Sequence, residues 1–288
     1  MRLDDIPKIE NFKFSTNTTY GLGGGALAAY IPENIRQATA IYDYIKDNST
    51  KLVVLGNGSN ILASDKYFDG AVIVTKRLNE IFLTGESAVF CRAGVKVSTL
   101  LKFCLERGLT GVEFLAGIPA TIGGIVCMNG GAGGKYIDSS VLNVEIYDGK
   151  IRNLTNKQCH FSHKYSIMRD INGLILGIWL NLTPENPVKV RENINYYIDK
   201  RKSLPKGKSC GCVFKNPEGA SAGKLIDEVG LKGLRIGGAE VSLKHANFIL
   251  NNGANSADIY RLIKLVKNKV LEKTGILLEE EVVYIGDF

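Results

Sequence analysis

The segment GVEFLAGIPATIGGIVCMNGGAGG, residues 111–134, decides how the rest of the chain is read. Seven glycines fall within residues 117–134. Glycine weakens helices and permits positive φ and close approaches that a Cβ forbids. The run therefore predicts an extended loop pressed against a ligand or another backbone, rather than ordinary helix. It lacks the Gly-Lys-Ser/Thr ending of a P-loop, and no GxGxxG lies between a strand and a helix. A second glycine turn, Gly56-Asn57-Gly58-Ser59-Asn60, follows the apolar run LVVL at 52–55 and leads into Ile61. Glycines at a strand end let backbone N–H groups face an oxyanion. Either segment alone reads as a tight structural turn. Two together fit a large, flat, phosphate-bearing cofactor.

Outward from these turns, strand and helix patterns alternate. Residues 71–75 (AVIVT), 143–147 with the Asp148-Gly149 turn, and 174–182 read as strands. Ser98 is expected to cap a helix that shows Leu101, Cys104 and Leu105 on one face and ends at Gly108. TPENPVKV, with Pro184 and Pro187, reads as a linker, and a charged helix ending at Pro205 follows it. Further on come a helix over 222–229 closed by Gly230, a strand at ANFIL (246–250), and a helix after a Ser256 cap. In that last helix Ile259, Leu262, Ile263, Val266 and Val270 recur at helical spacing. The fold class is α+β, with a mixed-strand N-terminal part and a smaller C-terminal domain.

Composition narrows the function. The 288 residues are 45% hydrophobic and 23% charged, ordinary globular usage. The net charge of +7 suits an anionic ligand such as a phosphate. Nucleic acid is not expected, because no basic run is interleaved with aromatics. Membrane insertion is not expected either, since no stretch reaches the ~18 apolar residues a span needs. The opening MRLDDIPKIE is charged and does not read as a signal peptide. Six cysteines show no disulfide framework, and Cys210 and Cys212 lack a second ligand pair, so reduced thiols and no metal site are expected. Two further motifs carry reactive groups: Gly211-Cys212-Val213-Phe214-Lys215-Asn216-Pro217, and the acidic run Glu279-Glu280-Glu281.

Taken in order, NTTYGLGG (17–24), LGNGSNIL, GVEFLAGIPATIGG with MNGGAGG, GCVFKNP, AGKLIDEVGLKG with IGGAEVS and KHANFILN, and LLEEEVVYIG are similar to the signatures of the bacterial UDP-N-acetylenolpyruvoylglucosamine reductases. The short spacing from FSHKYS (161–166) to GCVFKNP resembles that family's shorter type. The resemblance implies a vanillyl-alcohol-oxidase/PCMH-like FAD-binding domain over 1–185, in two subdomains, and a substrate-binding domain over 186–288. It implies non-covalent FAD and NADPH as cofactors, and UDP-N-acetylglucosamine enolpyruvate as substrate. Hydride reaches C3 of the enolpyruvyl group by way of the flavin, and a protein acid protonates C2 to give UDP-N-acetylmuramate. A cytoplasmic role in peptidoglycan precursor synthesis follows.

By the same resemblance, Gly56, Asn57, Gly58, Ser59, Asn60, Ile61, Gly117, Ile118, Pro119, Thr121, Gly123, Gly124, Asn129 and Gly133 are the expected cofactor contacts. Lys215, Asn216 and His245 are expected at the substrate, although His245 reads equally as a structural histidine. Cys212 occupies the place of the family's proton-donating Ser, and Glu281 matches its catalytic Glu. Lys164 stands where the pattern has an enolate-stabilising Arg, keeping the charge without the bidentate fork. Hydride addition at C3 builds charge on C2 and the carboxylate, which calls for a cation and a placed acid. Two more positions depart from the pattern: His163 replaces a Tyr, and Gly21 replaces a basic residue. Cys212 and Lys164 keep open a second reading, a non-catalytic paralogue that binds FAD or a UDP-sugar. A carbohydrate oxidase on the same fold fits less well, because of GCVFKNP.

Overall fold

Strand and helix alternate through residues 6–288, the part of the chain described by this computed structural model. Residues 1–5 of MRLDDIPKIE, read above as charged, lie outside the described residues. The α-helices among the described residues are α1 (Ile35–Asp47), α2 (Val97–Arg107), α3 (Ile122–Cys127), α4 (Pro187–Arg201), α5 (Ala222–Glu228) and α6 (Ser256–Thr274). None is long and apolar enough to cross a membrane.

The chain divides into two compact units. The first comprises Met1–Ile9, Ala28–Asn57 and Ala71–Lys202; the second comprises Glu10–Leu27, Gly58–Gly70 and Ser203–Phe288. The boundary expected after residue 185 falls inside the first unit, because α4 packs there. Ile194 and Tyr197 lie against the core that holds Phe103 and Leu115. Pro187, expected in a linker, is the first residue of α4, where a missing N–H leaves no helix bond unmade. Asn186 caps that helix, its side chain accepting from Val188 N at 2.8 Å.

The first unit has two cores. One lies under an antiparallel five-stranded sheet ordered Ile151–Thr155, Val141–Tyr147, Leu174–Asn181, Ala88–Arg92, Ile81–Leu83. Val144 pairs with Ile178, and Ile178 with Cys91, so one buried row crosses three strands. Leu100, Cys104, Ile122 and Val126 from α2 and α3 pack on it. The other core sets Ile41 and Ile45 of α1 against Ile73 and Leu176. Helix α2 starts at Val97, one residue before the expected cap Ser98. No side chain caps it; Val97 N instead donates to Ala120 O at 3.0 Å. Its end is as expected, with Gly108 at φ +62.

The second unit is built on α6. Ile259, Leu262, Ile263, Val266 and Val270 are buried as one stripe, each contributing about 1.5–3 kcal/mol. The N-cap is Asn255 rather than Ser256, in a capping box with Asp258. Ser256 is left to accept from Asp65 N at 2.9 Å through its hydroxyl. An antiparallel sheet of Arg235–Ile236, Ala239–Val241 and Ile249–Asn251 pairs in this unit, as do parallel strands Ile61–Ala63 and Val283–Ile285. The ANFIL strand is therefore shorter than expected, and its first residues serve another purpose.

Candidate active site

The glycine-rich segment is not one extended loop, contrary to its composition. Ile122–Cys127 coils into α3, capped by the Thr121 hydroxyl, which accepts from Gly124 N at 3.4 Å. Gly123 is needed for packing: a Cβ there would lie 2.8 Å from Ala93 Cβ and 2.9 Å from Ala93 O. The tight fit to Ala93 offsets the glycines' poor helix propensity. On either side of α3 the chain is irregular, with Gly117 at φ +77 and Gly133 at φ +64. A Cβ on Gly117 would meet Arg201 Cδ at 2.9 Å.

Within the first unit, this segment and the turn after strand Lys51–Leu55 are laced together. Asn57 Nδ2 donates to Pro119 O at 2.7 Å, and a Cβ on Gly56 would lie 2.3 Å from Thr121 Oγ1. Ile118 N donates to Leu115 O at 3.0 Å, tightening the bend. Glu113 anchors its start: Thr110 Oγ1, Gly111 N and Asn193 Nδ2 all donate to its carboxylate. Burial opposes ionisation of Glu113, but these bonds win and lower its pKa. Glycine at 56 thus lets the turn close directly on Thr121, while the amides of Ile118, Ala120, Ile122, Gly123 and Gly124 all donate within the protein.

Asn129, an expected cofactor contact, is a buried clamp. Its Nδ2 donates to Asp138 Oδ2 at 3.1 Å and to Ser162 O at 2.9 Å, and its Oδ1 accepts from Asp138 N at 3.2 Å. Ser162 opens the turn that carries His163 and Lys164; Ser162 and Tyr165 exchange both backbone bonds, at 3.0 and 3.2 Å. Lys164 sits at φ +57, a conformation that costs a non-glycine residue of order 1 kcal/mol and recurs at functional sites. Its Nζ lies 5.9 Å from the Tyr136 ring centroid, and the ring of Tyr136 meets that of His163 edge-on. Ser166 and Arg169 steady the turn, donating to Cys127 O and Lys164 O. Lys164 thus projects from a braced, strained turn.

In the second unit, residues 212–215 run between two segments. Cys212 bridges Phe248, and Phe214 bridges Glu280. Val213 N donates to Asn247 O at 2.9 Å, and Glu281 N donates to Val213 O at 2.7 Å. The fold so brings Cys212 and Glu281 onto adjacent backbones. The three carboxylates of the acidic run diverge. Glu279 pairs with Lys215. Glu280 takes Lys264 at 2.9 Å and Lys267 at 3.4 Å, and these bonds outweigh burial to lower its pKa. Glu281 instead acts on Cys210, a buried thiol beside Tyr20 and Cys212. Burial first, then Glu281 and Cys212, push Cys210 up to about 12, with the neighbouring Tyr20 hydroxyl pulling the other way.

Several expected ligand contacts hold the protein itself. Asn60 Nδ2 donates to Glu281 O at 2.9 Å, and Val283 N to Asn60 O at 2.9 Å. Asn60 is therefore placed to fix Glu281. Gly58, at φ +62, packs on Asn17 O and Thr18 Cα, 2.4 and 2.8 Å from an added Cβ. Ser59 is half-buried beside it, and Ile61 opens the strand paired with Val283. Asn216 Oδ1 accepts from Ala222 N at the start of α5. His245 is half-buried with Nδ1 unsatisfied, Cε1 3.1 Å from where a Gly223 Cβ would stand, and its pKa is lowered by burial. The residue that sequence reasoning missed is Asn247. Its Oδ1 accepts from Phe214 N at 2.9 Å and its Nδ2 donates to Phe214 O at 2.8 Å. A buried asparagine two positions after His245 in KHANF was the available signal.

Residues 26–155 match the FAD binding domain family, and residues 202–285 match the C-terminal domain of UDP-N-acetylenolpyruvoylglucosamine reductase. The UDP-N-acetylenolpyruvoylglucosamine reductase of Moorella thermoacetica is 37% identical over 284 residues, 97% of this chain and 93% of that one. The solved reductase of Thermus caldophilus superposes with a TM-score of 0.82 at 32% identity, over 98% of this chain and 99% of that one. A solvent-stable cholesterol oxidase shares the fold over 63% of this chain and 38% of its own, with a TM-score of 0.50 and 20% identity.

Proposed function

The chain belongs to the UDP-N-acetylenolpyruvoylglucosamine reductases, and from that premise we propose that it reduces UDP-N-acetylglucosamine enolpyruvate to UDP-N-acetylmuramate with FAD and NADPH. The observation that carries the reading is the segment that seats Cys212 against Phe248 and the next residue, Val213, against Glu281, in the domain matched to that family. The FAD-binding match over 26–155 supplies the other half.

FAD, when bound, would supply the hydride chemistry that links NADPH to C3 of the enol ether. The residues that would hold it are Gly56 and Asn57 with Gly117, Ile118, Pro119, Thr121, Gly123 and Gly124 of the bend; Gly58, Ser59, Ile61 and Gly133 are further candidates. Asn60 and Asn129 act one step back, Asn60 fixing the backbone of Glu281 and Asn129 that of the Lys164 turn. Lys164 stabilises the carboxylate and enolate charge that grows as C3 accepts hydride. Cys212 delivers its proton to C2, and Glu281 shapes the field around that transfer. A thiol replaces the family's usual hydroxyl here without loss of a transferable proton. Lys215 and His245 are proposed substrate contacts; Lys215 is anchored by Glu279. The product's use places the enzyme in the cytoplasm, in peptidoglycan synthesis that underlies cell shape and division.

The test is purification and assay. The protein should be yellow, release all its flavin on acid denaturation, and consume NADPH only when the UDP-enolpyruvyl sugar is added. Colourless protein, or flavin retained on the precipitate, would overturn the cofactor assignment.

A further inference from the structure

Two cysteines lie one residue apart in Cys210-Gly211-Cys212, and the proton transfer proposed above uses only the second. They are the two thiols of the second unit, since Cys91, Cys104, Cys127 and Cys159 all belong to the first. Their exposure differs. Cys210 is buried in one core with Tyr20, Val213 and Phe214, whereas Cys212 is half-buried on the segment that runs along Phe248. An oxidant in solution therefore meets Cys212 first.

The chain between them lets the sulfurs meet. Two residues of chain span at most about 7 Å, and a disulfide joins Cα atoms about 4.4–6.8 Å apart. Gly211 takes φ +82, and a Cβ built on it would touch nothing within 4 Å, so the link has room to adjust. The surroundings of Cys210 suit a thiol that reacts second. Burial first, then Glu281 and Cys212, keep it protonated, and a buried thiol in that state is a poor target for oxidants. It becomes a nucleophile only when a base takes its proton, and Glu281 is the carboxylate that acts on it.

We propose that Cys212 is a site of reversible oxidation by hydrogen peroxide, and that Cys210 resolves it into a Cys210–Cys212 disulfide. In the first step the Cys212 thiol is oxidised to the sulfenic acid, S–OH, and the peroxide is reduced to water. In the second the Cys210 sulfur attacks the Cys212 sulfur. The S–S bond forms, the S–O bond breaks, and the Cys210 proton passes by way of Glu281 to the departing hydroxide, which leaves as water. The protein loses two hydrogens, and one peroxide becomes two waters. A bridge closed over a single residue is strained and readily reduced, as a switch requires. While it stands, the reduction lacks its proton donor; that consequence rests on the reductase reading above, and the disulfide itself does not.

The test treats the parent holoenzyme with excess hydrogen peroxide, alkylates the remaining thiols under denaturing conditions and maps them by mass spectrometry. Peroxide should leave four of the six cysteines open to alkylation, with Cys210 and Cys212 joined in one peptide that is two hydrogens lighter. NADPH turnover should fall about 10²-fold in fully bridged protein, as loss of a placed acid does. Dithiothreitol should restore both the thiols and the rate. In Cys210→Ser no partner remains, so Cys212 should run on to the sulfinic acid, which dithiothreitol does not reduce. The assignment is overturned if all six cysteines of the treated parent still alkylate, or if the parent's Cys212 reaches the sulfinic acid as readily as that of Cys210→Ser. A bridge that forms while turnover is unchanged upholds the oxidation site and overturns the role given to Cys212 in the reduction.

Discussion

Replacing Asn247 with alanine should unfasten the segment that carries Cys212. The wild-type amide makes two bonds to the backbone of Phe214, at 2.9 and 2.8 Å, and both residues are buried. Alanine leaves the Phe214 N–H and C=O without those partners in a place water does not reach. Each unsatisfied group costs about 1–3 kcal/mol, so the pair costs about 4 kcal/mol. For a chain of this size that corresponds to a fall in Tm of about 8–16 °C. Thermal unfolding followed by far-ultraviolet circular dichroism measures it. Asn247→Asp should do no better at neutral pH, since it restores the acceptor for Phe214 N and turns a carboxylate oxygen toward Phe214 O. A melt of Asn247→Ala within about 2 °C of the parent would refute the clamp, because even one lost buried bond predicts more.

Cys212→Ser should retain turnover, whereas Cys212→Ala should keep reduction of the flavin by NADPH and greatly slow its reoxidation by substrate; equal loss in both half-reactions would make Cys212 structural. Lys164→Met should slow the substrate half-reaction ~10²-fold or more, with Lys164→Arg at or above the parent rate, and stopped-flow flavin absorbance separates the steps. His245, whose pKa burial lowers in the folded state, binds its proton more readily unfolded. Its contribution is intact above about pH 6.5 and is lost as pH falls below that toward the lower folded value. Denaturant midpoints of His245→Gln should therefore fall less on acidification than the parent's; matching slopes would remove His245 from the acid response.

What the sequence reveals is what depends on near neighbours. The run LVVL ending at Gly56, the apolar stripe of α6 and the stop at Gly108 each follow from local pattern, and each forms as read. The caps were misread, by two residues at α2 and by one at α6, where a distant partner took over: Ala120 O holds the start of α2, and Asp65 engages Ser256. Helix α3 was hidden because the reason for Gly123 lies at Ala93, 30 positions earlier. At the candidate site, the motifs located the right backbone but not the direction of each side chain. Asn60 and Asn129 are occupied by Glu281 O and Ser162 O, partners 221 and 33 residues away.

The central claim is that this chain passes hydride from NADPH to an enolpyruvyl ether and protonates the product. Anaerobic titration of the purified holoenzyme tests it most directly. One equivalent of NADPH should bleach the flavin's visible absorbance, and one equivalent of UDP-N-acetylglucosamine enolpyruvate should restore it, with UDP-N-acetylmuramate formed in equal amount. Flavin that NADPH reduces but the enol ether leaves reduced would contradict the claim, and would leave a flavin-binding paralogue in its place.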